Sequence, residues 1–124
     1  VEIGCFIGAS TIWLAAGLEQ SCGPGKIHSV DLFDEVMPWV PHRYSYLGDP
    51  LGYATRSLAA AGLEHRARFI KANSVAFARG FRETHGETID LLFTDKCENS
   101  NADVNCFRDT CFHTTCHVKP SHPV

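Results

Sequence analysis

Apolar and polar positions fall in alternating blocks along this chain. Val1 to Phe6 is a short apolar run that leads into glycine-rich sequence. It reads as a buried parallel strand, because strands covered on both faces appear as continuous hydrophobics. Ile12, Trp13, Ala15, Ala16 and Leu18 then supply the apolar stripe of a helix capped by Ser10 or Thr11. Ile12, Trp13 and Ala16 are expected in the core. Gly23-Pro24-Gly25 stops this helix. Lys26 to Phe33 reads as a second strand with Asp31 near its end. A long connection from Asp34 to Pro50 follows, and Leu51 to Ala61 reads as a helix closed by Gly62. Arg66 to Ala72 is a third strand. Ser74 caps a helix through Val75, Phe77, Ala78 and Phe81. Thr88 to Thr94 is a fourth strand, closed by Asp95.

The order is β-α-β-α-β-α-β. Helical patterns between apolar strands predict an α/β fold: a doubly wound, mainly parallel sheet with right-handed crossovers and helices on both faces. In such sheets ligands sit beyond the carboxyl ends of the strands, near the point where strand order reverses. The positions that matter are therefore Gly4 to Gly8, Asp31, Asn73 and Ser74, and Asp95. Residues 1–95 form the wound half. Residues 96–124 are a Cys/His-rich segment, a helix followed by an irregular tail.

Composition narrows the function classes. The 124 residues carry 11 Lys+Arg against 14 Asp+Glu, a net charge of −3. This mild acidity gives no electrostatic reason for nucleic-acid binding. No apolar run is long enough to span a bilayer, and no basic stretch precedes an apolar one as in a signal peptide. The six cysteines read as reduced thiols in a cytosolic setting. The chain opens inside a strand and ends on Pro120-Ser121-His122-Pro123-Val124; the expectation is a piece of something longer.

The first strand-to-helix turn reads Glu2-x-Gly4-x-x-x-Gly8. Glycine permits a sharp turn and close approach of a ligand. The helix N-terminus behind it offers free N–H groups and a positive dipole end. A nucleotide-like ligand fits that geometry; a tight turn without a ligand is the alternative. The spacing is not the dinucleotide fingerprint Gly-x-Gly-x-x-Gly. Asp31, at the end of the next strand, is placed to accept hydrogen bonds from both hydroxyls of a ribose; its alternative is a solvated strand-end carboxylate.

Four segments together resemble a known family: Val1-Glu-Ile-Gly-Cys-Phe-Ile-Gly-Ala-Ser-Thr, Ser29-Val-Asp-Leu-Phe, Gly62-Leu-Glu-His-Arg-Ala-Arg-Phe-Ile-Lys-Ala-Asn-Ser and Ile89-Asp-Leu-Leu-Phe-Thr-Asp95. They look like the class I S-adenosylmethionine-dependent methyltransferases, in particular the small-molecule O-methyltransferase-like branch. The resemblance covers roughly residues 1–95. It implies a Rossmann-like sheet that binds S-adenosylmethionine and transfers a methyl group to a small-molecule acceptor, such as a hydroxyl. Glu2, Gly4 and Gly8 would line the pocket for the methionine part. Asp31 would hold the ribose, and Leu32 would pack near the adenine. Asn73 and Ser74 would border the adenine edge. Asp95 would stand where methyl and acceptor meet, as a base or, in metal-dependent relatives, as a ligand of a divalent cation.

Departures from that branch are specific. After the strand-four Asp it continues with Gly-Asp-His and an aromatic, whereas this chain has Lys96-Cys97-Glu98-Asn99-Ser100. Glu98 stands at the His position, so no catalytic histidine transfers, and no metal ligands are assigned. His117-Val118-Lys119-Pro120-Ser121 echoes the turn before strand five only weakly. Cys97, Cys106, Cys111, His113, Cys116, His117 and His122 are zinc-ligand types, but no Cys-x-x-Cys pair occurs, and free thiols are the favoured reading. Trp39, Tyr44 and Tyr46 either close over an acceptor or cover the sheet edge; His42 and Arg43 lie at the same loop. Two rival functions stand beside methyl transfer: a nicotinamide-dependent oxidoreductase and a non-enzymatic zinc-stabilised module.

Overall fold

The computed structural model describes residues 1–33, 48–85 and 89–94, with backbone alone for 82–85. Their elements run β1 (Glu2–Ile3), α1 (Ala9–Gln20), β2 (Ile27–Asp31), α2 (Pro50–Ala60), β3 (Ala67–Lys71), α3 (Ser74–His85) and β4 (Phe93–Thr94). The four strands form one sheet in the order β3-β2-β1-β4. Every pairing is parallel, with Glu2 opposite Ser29, Ile3 opposite Val30, and Ile27 to Asp31 opposite Ala67 to Lys71. The expected α/β, Rossmann-like doubly wound sheet is thus the observed architecture.

Side chains alternate across the strands with period two. One face packs Ile3, Val30 and partly Ile70 against Ala78 and Phe81 of α3, with Ile89 and Leu92 completing the cluster. The other face places Ala67, Ile27 and Phe69 against Ala15 of α1 and Leu58 of α2. Helices α1 and α2 therefore share one face and α3 covers the other. This follows from right-handed crossovers: β1 to β2 to β3 steps one way along the sheet, and β3 to β4 returns past β1. Strand order reverses between β1 and β4, beside the turn that leaves β1.

Several local expectations need correction. Trp13 is 80 % exposed rather than core. Helix α1 is apolar around most of its circumference, so periodicity does not single out a face. Packing buries Thr11 and Ala15, with Ile12 and Ala16 partly buried against them, and turns Trp13 outward. Trp13 and Leu18 line, with Val1, Ile27, Leu91 and Phe93, a cavity of about 510 Å³ at the amino ends of the strands, the opposite end from Gly4 to Gly8. Neither Ser10 nor Thr11 caps α1: Gly8 is its N-cap, with no side-chain cap hydrogen bond. Asp49 is the unforeseen cap of α2, its carboxylate accepting from the Gly52 N–H at 2.8 Å with Pro50 in the first turn. At α3 the cap is Asn73 rather than Ser74, its Oδ1 accepting from the N–H groups of Val75 and Ala76 at 3.0 and 3.3 Å. Among the described residues of the last segment, paired strand covers Phe93–Thr94 alone, and Asp90 and Leu91 are exposed.

Candidate functional site

The turn that leaves β1 is built on left-handed backbone. Gly4, Phe6 and Gly8 have φ of 81°, 52° and 84°. The Gly4 N–H donates to the Val30 carbonyl at 2.9 Å, and the Gly8 N–H closes on the Cys5 carbonyl at 2.8 Å. The Gly8 carbonyl then accepts the first helical bond from Ile12 at 3.0 Å. A Cβ on Gly8 would lie 2.5 Å from the Phe69 ring, so both φ and space demand glycine here. No side-chain hydrogen bond caps α1, and a helix N-terminus favours an anionic group.

Asp31 meets that turn directly. Its Oδ2 accepts from the Phe6 N–H at 2.8 Å, and its Oδ1 accepts from the Phe33 N–H at 2.9 Å. The Asp31 carbonyl accepts from the Ala72 N–H at 3.0 Å, which ties the end of β2 to the end of β3. Gly4, Gly8 and Asp31 therefore stand together at one end of the sheet, as the spacing of the motifs anticipates. Asn73 and Ser74 follow β3 at the same end; Asn73 is exposed and Ser74 buried. Leu32 is 44 % exposed beside Asp31. Asp95, Glu98, the aromatic loop residues Trp39, Tyr44 and Tyr46 with His42 and Arg43, and the Cys/His tail lie outside the described residues. Among the described residues no group of His, Cys, Asp and Glu is arranged to hold a metal ion, and no helix is long and apolar enough to cross a membrane.

Glu2 sits beneath the turn with no exposed surface. Its carboxylate accepts from the hydroxyl of Ser10, of Thr11 at 2.5 Å and of Ser29 at 2.6 Å; Thr11 and Ser29 are themselves 3.0 Å apart. A buried charge needs such partners, because water is not there to solvate it. The register that sets Glu2 opposite Ser29 and the first turn of α1 bring the donors to it. Hydroxyls expected to cap the helix are instead turned inward onto the strand. The sequence signal for this network was present: an acidic residue inside an apolar run, facing a serine at the matching position of the next strand.

The apolar floor of the site also escaped the sequence pattern. Cys5, Phe33 and Ala54 form a buried cluster with Leu51 and Phe69 against it. Phe33 and Phe69 meet edge to face, their ring centroids 5.9 Å apart. Burial first, and then the neighbouring charges of Asp31 and Glu2, push the Cys5 thiol up. It therefore stays protonated at neutral pH and is a poor nucleophile.

Fold and site together define a doubly wound α/β domain in which the turn after the first strand meets an acidic second-strand end. A family model described as "Methyltransferase domain" matches residues 1–114, nearly the whole chain. The chain belongs to that family. No curated protein sequence matches it.

Proposed function

We propose that this domain binds S-adenosylmethionine and transfers its methyl group to a small-molecule acceptor, a hydroxyl compound in the simplest case. The observation that carries this reading is the 2.8 Å contact between the Phe6 N–H and Asp31. It joins the β1–α1 turn and the strand-end carboxylate at one place on the sheet. The donor chemistry fits the cofactor. A carboxylate offers about four lone-pair positions; two are used by backbone amides, and the others suit a ribose diol. The uncapped N–H groups of α1 suit the carboxylate of the methionine part. Gly4 leaves one position of the turn without a Cβ, and Leu32 offers an exposed apolar surface beside Asp31 for the adenine.

Bound there, S-adenosylmethionine supplies an electrophilic methyl group on a sulfonium. The protein's contribution to such a displacement is alignment of the acceptor and removal of its proton. Glu2 fixes Ser10 and Thr11, and with them the first turn of α1 over the site. Asp95, the residue after β4 in sequence, is assigned the acceptor-side base. The nicotinamide alternative is disfavoured by Phe6. It stands where the dinucleotide fingerprint has its middle glycine, the one that lets a pyrophosphate approach the backbone.

Calorimetric titration with S-adenosylmethionine and S-adenosylhomocysteine tests the reading. Asp31→Ala is expected to weaken binding by about 1–3 kcal/mol, the scale of lost charge-assisted hydrogen bonds. Unchanged affinity in that variant discards the assignment, and absence of binding by the wild type discards the cofactor.

A further inference from the structure

We infer that Asp31 is also a positioning residue: its carboxylate clamps two loops in left-handed backbone and so shapes the site before any ligand arrives. This rests on the cofactor reading for its functional consequence, but not for its structural one. Phe6 and Phe33 have φ of 52° and 50°, a region that L-residues with bulky side chains rarely occupy because Cβ crowds the following carbonyl. They belong to different segments, one leaving β1 and one leaving β2. Each nevertheless donates its N–H to the same carboxylate, Phe6 to Oδ2 and Phe33 to Oδ1. Two unfavourable conformations converging on one acceptor are held by that acceptor. The side chains complete the lock. Phe33 is buried against Cys5 and Ala54, and Phe69 stands edge-on to Phe33 while its ring fills the space over Gly8. Residues Gly4 to Gly8 are thus tied by the hydrogen-bond clamp at Phe6 and packed by the Phe69 ring at Gly8.

The clamp makes Asp31 dual in function. A residue that only accepts from the ribose matters to ligands carrying the diol and to no others. A clamp matters to every ligand of the turn, diol or not. Asparagine loosens the clamp, because it keeps one acceptor oxygen and replaces the other with an NH2 group that cannot accept from either amide; a ligand without the diol separates the two ideas.

Two measurements decide the point. The first uses no ligand: amide hydrogen exchange of Phe6 and Phe33 in the wild type and in Asp31→Asn. Both amides are expected to be protected in the wild type, and at least one to exchange ten or more times faster in the variant. Unprotected amides in the wild type, or unchanged rates in the variant, overturn the clamp. The second compares S-adenosylhomocysteine with its 2′,3′-dideoxy analogue on wild type, Asp31→Asn and Asp31→Ala. The clamp predicts that the substitutions weaken the dideoxy analogue at least tenfold; equal affinities reduce Asp31 to a ribose acceptor and overturn the inference. If the wild type binds neither ligand, the cofactor reading fails and the exchange rates alone decide the clamp.

Discussion

Glu2 shows how one residue joins local structure to the site. A carboxylate with no exposed surface survives in the fold because the hydroxyls of Ser10, Thr11 and Ser29 surround it. Removing the carboxylate takes an acceptor from three hydroxyls at once and leaves Thr11 and Ser29 only each other; removing one hydroxyl leaves the others in place. Glu2→Ala is therefore expected to lower the free energy of unfolding by about 3–5 kcal/mol, against about 1 kcal/mol for Ser29→Ala. Urea denaturation of both variants measures this. A cost for Glu2→Ala no larger than for Ser29→Ala contradicts the network. Sequence reading placed Glu2 correctly on β1 but directed it at a ligand. The helix N-cap preference of Ser and Thr hid the true partners, because capping is a local rule and Glu2 lies several residues upstream on another element.

Among elements, the β1–α1 turn is where backbone conformation and packing cannot be separated. Gly8 has φ of 84°, and a Cβ there would stand 2.5 Å from the Phe69 ring and 3.3 Å from the Ala54 side chain. Gly8→Ala is expected to destabilise the domain by about 2–4 kcal/mol, combining left-handed strain with the clash. A double-mutant cycle with Phe69→Leu separates the two causes. The pair is expected to couple favourably, by about 0.5 kcal/mol or more, while the strain portion persists. Strict additivity shows that Phe69 yields without cost. The glycines were legible as a turn from spacing alone. Phe69 was not, since it lies on β3, more than sixty positions along the chain, and only the sheet order brings it over Gly8. Helix α1 teaches the converse: its nearly continuous apolar sequence carried no directional information, and packing, not pattern, left Trp13 at the surface.

At the scale of the whole molecule, long-range ties hold the sheet and helices in register. Glu19 near the end of α1 accepts from Arg66 and contacts the His65 ring at 3.1 Å, and Arg66 also donates to the Gly23 carbonyl at 2.8 Å. Together they fasten the end of α1 to the start of β3. Hydrogen bonds from Arg66, and then from His65, hold the Glu19 carboxyl below the ordinary carboxylate range. A depressed carboxyl stabilises the fold fully above its unfolded value, and that contribution is lost as pH falls through the folded value. Melting temperature followed downward in pH is thus expected to fall less steeply in Glu19→Gln than in the wild type. Glu19 is exposed, so the difference is small and shrinks with added salt. Identical acid limbs exclude the tie as a source of stability.

What the sequence determined by itself was periodic and local. Alternating apolar blocks separated by glycine and proline specify the order of strands and helices. Short-range chemistry specifies the glycine turn and the acidic end of β2, because each depends on neighbours within a few residues. Tertiary structure alone decided which atoms those residues meet: Asp31 reaching the Phe6 amide, Ser29 facing Glu2, Phe69 filling the space above Gly8. Those pairings join positions 25 to 61 residues apart, and their distances are set by strand register and crossover handedness, properties of the assembled sheet that no single segment contains.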